Sequence, residues 1–344
     1  MKERVYNFYM KTKMKTNSSI FQHLALDFVS VTEKAAIAAA AWVGKGDGKA
    51  ADQAAVDAMR TALNDIDFRG TIVIGEGAKD EAAELYNGEE LGRGKSPMLD
   101  IAVDPLECTD SVAYGRANAT TVLAFGPKGS LYKAADSYMQ KIAVGHEARG
   151  VIDIDAPTGV NIKKAAKALG KSVGEMTVAI LDRPRHETLI KDVRKSGARV
   201  RLFTDGDVAY AIATCFRESP IDMLLGIGGS TEAVLAAAAM KSLGGELLCR
   251  WKPKDETHIA RLKEAGVTNF KKIFSVADLA KGDDIAFLAT GVLDGPLASG
   301  VNFAGDHIHT ETLLLSTKPG VMRHIRTKHT KLNSKPEAQS LKQY

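Results

Sequence analysis

The segment Asp100 to Ser111, DIAVDPLECTDS, sends an apolar run straight into an aspartate and a proline, then adds a glutamate and a threonine. Buried strands usually end in a glycine or a lone cap. This one ends in Asp104, Glu107 and the hydroxyl of Thr109, with Pro105 stiffening the exit. Three more acids stand in comparable places. Glu76 follows an apolar run in VIGEG, where flanking glycines let the backbone turn tightly. Glu232 follows the glycine turn of LLGIGGSTEA at a helix start, and Asp52 precedes QAAVDAMRTAL, where it is expected to cap the helix. Carboxylates brought together out of water repel one another unless a cation sits among them. Oxygen ligands without a Cys or His cluster point to Mg²⁺ or Mn²⁺ rather than zinc. Such ions bind through carboxylates and substrate phosphates, so the expected chemistry is phosphate-ester hydrolysis.

Taken singly, each group has a plainer account. A capping aspartate or a glutamate after a strand is most often structural. Arg183 and Arg185 in DRPRH read as a surface turn, Asp205 and Asp207 in DGD as a bare turn, and Tyr138 as core or rim. GIGGSTEA lacks both the dinucleotide fingerprint and the P-loop lysine, which disfavours a nucleotide-binding dehydrogenase.

The elements that must position these groups alternate in period. Leu24 to Gly44 is an Ala-rich helix, apolar almost all round and so expected between layers. Strands are expected at GTIVIGEG, Met98 to Val103 and Thr120 to Phe125, then hairpin-like segments through Val144. Beyond Val151 the rhythm is strand, helix, strand. MTVAIL leads to HETLIKDVRKSG, RVRLF to DVAYAIATCF, and IDMLLGI to STEAVLAAAAMKSLGG, the pattern of parallel βαβ units. IAFLAT and TETLLL supply late strands. The fold class is α/β, a layered sandwich of two lobes in which mixed and parallel sheets alternate with helices. The expected division is a basic disordered extension over 1–19, a metal-binding lobe over 20–172, a sugar-phosphate lobe over 173–329 and a disordered tail over 330–344.

Composition narrows the function. The chain has 344 residues, 45% apolar and 26% charged, as in ordinary globular proteins. Its net charge of +4 comes from Lys2, Arg4, Lys11, Lys13 and Lys15 at one end and Arg323, Arg326, Lys328, Lys331 and Lys335 at the other. These read as solvated tails, not as a nucleic-acid groove. Cys108, Cys215 and Cys249 have no short spacing, so a reducing, cytoplasmic setting is expected. No apolar run approaches the roughly 20 residues that span a bilayer, so no membrane partner is expected.

DPLECT resembles the D-P-(I/L)-(D/E)-(G/S)-T motif of the lithium-sensitive, metal-dependent sugar and inositol phosphatases. TEKAAIAAAAWVGKGDGKAAD, GTIVIGEG followed by DE, DIAVDPLE, YMQK, DRPRH, DGDVA and GIGG before Glu232 occur in an order and spacing similar to the class II fructose-1,6-bisphosphatases. The resemblance runs from Phe21 to His329. It implies metal ligands at Asp52, Glu76, Asp104, Glu107 and Glu232, with the Leu106 carbonyl as a further one. It implies that Thr109 positions and deprotonates the attacking water, with Glu76 also needed for turnover. The 1-phosphate would lie against the amides around Cys108 and Thr109, and the 6-phosphate against Arg183 and Arg185. Asp205 and Asp207 would meet sugar hydroxyls, Tyr138 would touch substrate, and Gly229 would let the sugar approach the backbone.

The implied enzyme hydrolyses fructose 1,6-bisphosphate as a homodimer or homotetramer. The alternatives are sedoheptulose 1,7-bisphosphate, another sugar or inositol phosphate, or a catalytically weak sugar-phosphate-binding paralogue. Cys108 stands where the pattern has Gly or Ser, Ala78 where it has a second Glu, STEA where it has G-x-P-E-G, and DEAAELYNGEE lacks its Pro-Met.

Overall fold

The computed structural model describes residues 2–77 and 84–330. Two helices come first, α1 (Lys2–Ala40) and α2 (Gly48–Asn64), followed by β1 (Arg69–Ile74), β2 (Glu90–Leu91) and β3 (Met98–Glu107). The short α3 (Thr109–Tyr114) leads into β4 (Ala119–Pro127) and β5 (Tyr138–Val144). An alternating run follows: α4 (Thr158–Ala168), β6 (Thr177–Leu181), α5 (Glu187–Lys195), β7 (Arg199–Phe203), α6 (Asp207–Ala213), β8 (Met223–Gly229) and α7 (Ser230–Leu243). Then come β9 (Glu246–Trp251), α8 (Glu256–Glu264), β10 (Ile273–Ser275) and α9 (Val276–Leu279). The closing strands are β11 (Ala286–Leu293), β12 (Asn302–Ala304), β13 (His307–Ser316) and β14 (Val321–Thr330).

Among the described residues these strands form two mixed sheets. The first has the order β12-β13-β11-β4-β3-β1-β2 with β14 beside β13, and the second β10-β9-β5-β8-β6-β7. Successive strand residues face opposite ways and join different cores. Ile101 and Val103 pack with Phe28 of α1 and Met59 of α2, whereas Ala102 between them joins Ala236 and Ala237 of α7. In β5, Ala143 faces that same central core, while Ile142 packs with Ile162 of α4 and Val193 of α5. The layers therefore run α1/α2, sheet, α6/α7, sheet, α4/α5. This is the expected α/β sandwich. Alanines along α7 allow both sheets to approach it closely, and Ala233 to Met240 are all buried.

Several local expectations are corrected. The helix between layers is α7; α1 is an outer helix, with Leu26 half exposed and Lys34 in solvent. Asp47 caps α2, its carboxylate accepting the Ala50 N–H at 3.0 Å, and Asp52 lies a turn inside the helix. β3 does not stop at Val103. It continues through Pro105 to Glu107 because its register against β4 shifts between Asp104 and Glu107, and such a bulge tolerates a proline. β5 is no hairpin partner of β4; it crosses to the second sheet and pairs antiparallel with β8 and β9. Arg323, Arg326 and Lys328 are not tail residues. They lie on β14, held in register with β13 from Ser316↔Val321 to His307↔Thr330, and their charge blunts an edge strand.

The sheets do not follow a division at 172/173. β5 lies with β6 to β10, and β11 to β14 return to the sheet of β1 to β4. α1 is drawn from Lys2 rather than Leu24. The side chains of residues 2–20, the tail after Thr330 and Ala78 lie outside the described residues.

Candidate active site

A cavity of about 410 Å³ opens where β3, β6 and β8 end and where α3, α6 and α7 begin, with Tyr138 of β5 on its wall. Parallel strands that end beside helix starts commonly leave such a crevice. The cavity gathers almost all the sequence-derived candidates. Asp104, Leu106, Glu107, Cys108 and Thr109 come from the DPLECT segment, and Gly229 and Glu232 from the β8–α7 turn. Asp205 and Asp207 come from the turn into α6, and Arg183 and Arg185 from the turn after β6. A second cavity of about 220 Å³ shares Asp104 and Glu232 and adds Glu76. Asp52 lines neither, but its charge acts on both Glu76 and Asp104.

The DPLECT segment is shaped by its own hydrogen bonds. Asp104 Oδ1 accepts the Leu106 N–H at 3.1 Å, and Thr109 Oγ1 donates to the Leu106 carbonyl at 3.3 Å. The Thr109 methyl is set against Gly48, where a Cβ would come within 2.9 Å of it. Glu107 joins the two sheets' helices and strands: Oε2 accepts from Thr120 Oγ1 of β4 at 3.3 Å and Oε1 from the Val208 N–H of α6 at 3.2 Å. Cys108 takes the left-handed conformation at φ 74° that a glycine would hold without strain. Its Sγ lies 3.8 Å from Asn118 Nδ2, and a Cβ on Gly206 would stand 2.6 Å from it.

Burial and mutual repulsion dominate the electrostatics. Burial first, then the charge of Asp52, pushes Glu76 up to about 7. Burial pushes Asp104 well above the carboxylate range, and Glu76, Glu107, Glu232 and Asp52 add to it. Glu107 is raised by burial and then by Asp207, Glu232 and Asp205. Asp52 and Asp205 are raised chiefly by burial. Asp207 is also raised by burial, against the pull of Lys141.

Lys141 is the main residue that sequence reasoning missed. Its Nζ lies 2.7 Å from Asp207 Oδ2, with side chains only 3% and 10% exposed. A signal was present: alternation along β5 puts Lys141 on the same face as the buried Met139 and Ala143, where a lysine needs a partner. The pair explains Gly228, since a Cβ there would lie 1.9 Å from Asp207 Oδ2 and 3.1 Å from Lys141 Nζ. A Cβ on Gly229 would stand 2.0 Å from Glu232 Oε2, and Gly229 itself lines the cavity.

Two arginines line the same cavity. Arg185 donates from Nη2 and Nε to the Ile227 carbonyl at 2.7 and 3.2 Å, and its guanidinium lies 5.2 Å from the Tyr138 ring centre. Arg183 donates to the Asp182 carbonyl at 3.0 Å. Burial lowers the Arg185 pKa, yet a guanidinium keeps its charge at any ordinary pH. His258, 5.3 Å from the Tyr138 ring, and Asp136 also line the cavity and carried no sequence signal.

The donor set suits a hard divalent cation: it is oxygens only, with Glu76, Asp104 and Glu107 destabilised by burial and by neighbouring acids. Asp207 Oδ1 is buried with no protein partner. Among the described residues no three His, Cys, Asp or Glu side chains close around a single point. Mg²⁺ commonly keeps several waters and binds through a few carboxylates and substrate phosphates. Also among the described residues, no helix is long and apolar enough to cross a membrane.

A layered α/β protein whose cleft is lined by both carboxylates and arginines has the make-up of a phosphate-ester hydrolase. Comparison with known proteins gives the particular family. The family described as "Bacterial fructose-1,6-bisphosphatase, glpX-encoded" matches residues 22–329. The chain is 43% identical over 331 residues to the fructose-1,6-bisphosphatase 1 class 2 of Escherichia coli K12, covering 92% of this chain and 98% of that protein. The class 2 enzymes of E. coli O6:H1 and Shigella flexneri match with the same identity and coverage. A solved structure of an extragenic suppressor from Pyrococcus furiosus aligns over 57% of this chain and 70% of that one, at 14% identity and a TM-score of 0.29. That likeness bears on nothing here. The chain belongs to the glpX-type bacterial fructose-1,6-bisphosphatases, and membership implies a metal-dependent phosphatase.

Proposed function

We propose that this enzyme hydrolyses the 1-phosphate of fructose 1,6-bisphosphate, leaving fructose 6-phosphate. One observation carries the reading beyond family membership. A single cavity is lined both by Asp104, Glu107 and Glu232 and by Arg183 and Arg185, so carboxylates for a metal and cations for a second phosphate share one space. Asp52, Glu76, Asp104, Glu107 and Glu232 would hold Mg²⁺ or Mn²⁺. When bound, the cation neutralises the transferring phosphoryl group and makes the attacking water more acidic.

The chain's own residues do the rest. Thr109 Oγ1 orients the water, and its methyl, fixed on Gly48, limits its rotation. Glu76, which lines the adjoining cavity with Asp104 and Glu232, is the candidate acceptor for the water's proton. The amides around Cys108 and Thr109 receive the 1-phosphate. Arg183 and Arg185 clamp the 6-phosphate, with Tyr138 stacked behind Arg185. Asp205 and the unpaired Oδ1 of Asp207 are acceptors for sugar hydroxyls.

A cytoplasmic setting and assembly as a homodimer or homotetramer belong to the same proposal. The unpaired Cys108, Cys215 and Cys249 fit a reducing compartment. The test is phosphate release from a panel of sugar bisphosphates with Mg²⁺, Mn²⁺ or excess EDTA. One phosphate per fructose 1,6-bisphosphate, only with metal, supports the reading; full turnover in EDTA overturns it.

A further inference from the structure

β6 and β8 lie parallel in the second sheet, yet they pair only at Val178↔Met223 and Ala179↔Leu224. β6 continues to Leu181 and β8 to Gly229 without further rungs, and the active-site cavity opens between these ends. The imidazole of His186, 1% exposed, bridges the gap. Its Nδ1 lies 2.7 Å from the Leu181 carbonyl and its Nε2 2.8 Å from the Ile227 nitrogen. A carbonyl can only accept and a peptide N–H can only donate. The ring is therefore neutral, with its proton on Nδ1 and its lone pair on Nε2. Gly226 makes room for it, since a Cβ there would stand 3.3 Å from ring atoms Cε1 and Nε2.

The same Ile227 residue is held from its other side. Its carbonyl accepts both Nε and Nη2 of Arg185, the residue before His186 in one short helical turn. Ile227 is thus fixed at N–H by His186 and at C=O by Arg185. We propose that His186 is a positioning residue: its single neutral tautomer sets the width of the β6–β8 opening and, through Ile227, places Arg185 for the distal phosphate. This rests on the assignment of that arginine pair to the 6-phosphate.

The test uses His186→Phe, which keeps a ring but loses both hydrogen bonds, and His186→Gln, which keeps a donor and an acceptor. For His186→Phe, KM for fructose 1,6-bisphosphate is expected to rise about tenfold while kcat changes less, because a misplaced clamp weakens binding of the distal end. The preference for the bisphosphate over fructose 1-phosphate should fall by the same factor, and His186→Gln should recover part of it. An unchanged KM in folded His186→Phe, or equal losses on both substrates, overturns the proposal. Nitrogen-15 spectra of the wild-type enzyme give a reading that needs no folded Phe variant. The resonance pair absent from His186→Gln should show a protonated Nδ1 and a bare Nε2, and a proton on Nε2 overturns the proposal. Arg185→Ala separates the two levels. If it leaves KM for the bisphosphate unchanged, the arginine assignment fails and the inference with it. If it raises KM while His186→Phe does not, only the inference fails.

Discussion

Replacing Lys141 with methionine keeps most of the side-chain volume and removes the cation paired with Asp207. In the native chain Nζ and Oδ2 are 2.7 Å apart, and both side chains are nearly out of water. The other oxygen, Oδ1, already has no protein partner. Lys141→Met therefore leaves a buried carboxylate bare beside Glu107 and Glu232. Removing one partner of a buried pair costs about 3–5 kcal/mol, a large share of the roughly 5–15 kcal/mol that holds a protein folded. The cost should depend on pH. Burial already holds the Asp207 pKa above its unfolded value, and losing Lys141 raises it further. A folded pKa above the unfolded one contributes stability below the unfolded value and loses it as pH rises through the folded value. Urea unfolding should thus show the full penalty near about pH 8 and a smaller one near about pH 5. Lys141→Met combined with Asp207→Asn should be less destabilised than Lys141→Met alone, since no uncompensated charge remains. A pH-independent loss under about 1 kcal/mol, the scale of an exposed pair, would refute the argument.

The acidic cluster makes a related forecast for the metal-free protein. Asp52, Glu76, Asp104 and Glu107 all have raised folded-state values, so thermal melts in EDTA should fall as pH rises, through about 7 for Glu76, and added Mg²⁺ should flatten the slope. A melting temperature that climbs with pH in EDTA contradicts this. Asp104→Asn should abolish turnover while circular dichroism still reports the native fold, and Thr109→Val should lower kcat with little change in metal affinity by calorimetry. Cys108→Gly relieves a left-handed residue that costs about 1–2 kcal/mol and should keep or raise activity. Loss of activity there would instead mark a thiol nucleophile, a role that burial and surrounding acids oppose by raising the Cys108 pKa.

The layered fold was legible in the chain because its strands are short apolar runs bounded by turns and its second half repeats strand and helix. Ile101, Ala102 and Val103 already announce two faces, and the structure gives each face its own core. The crossings were not legible. Nothing local in YMQKIAV says that β5 leaves β4 for β8 and β9, because pairing partners are set by the whole sheet. The β14 strand was hidden by its composition: basic residues on an exposed edge resemble a tail until Ile325 is seen against the core. In the site, the carboxylates were visible because acids at strand ends are conspicuous. His186, Lys141 and Asn118 were not, since each acts by filling a gap between distant segments. Asn118 shows this well, donating to the Asp205 carbonyl at 3.0 Å from 87 residues away. The glycines at 228 and 229 read in sequence as a turn before Glu232, and the structure sets the Asp207 and Glu232 carboxylates against them.

The central claim is that one cavity binds a bisphosphate end to end, carboxylates at the reacting phosphate and arginines at the other. The direct measurement is kcat/KM for fructose 1,6-bisphosphate and for fructose 1-phosphate, in the wild-type enzyme, Arg183→Ala and Arg185→Ala. Charge-assisted bonds to phosphate are worth about 1.5–3 kcal/mol each, so each change should cut kcat/KM for the bisphosphate by roughly ten- to hundredfold. Fructose 1-phosphate should be nearly indifferent to both changes. Equal losses on the two substrates would contradict the account and move the arginines out of the substrate site.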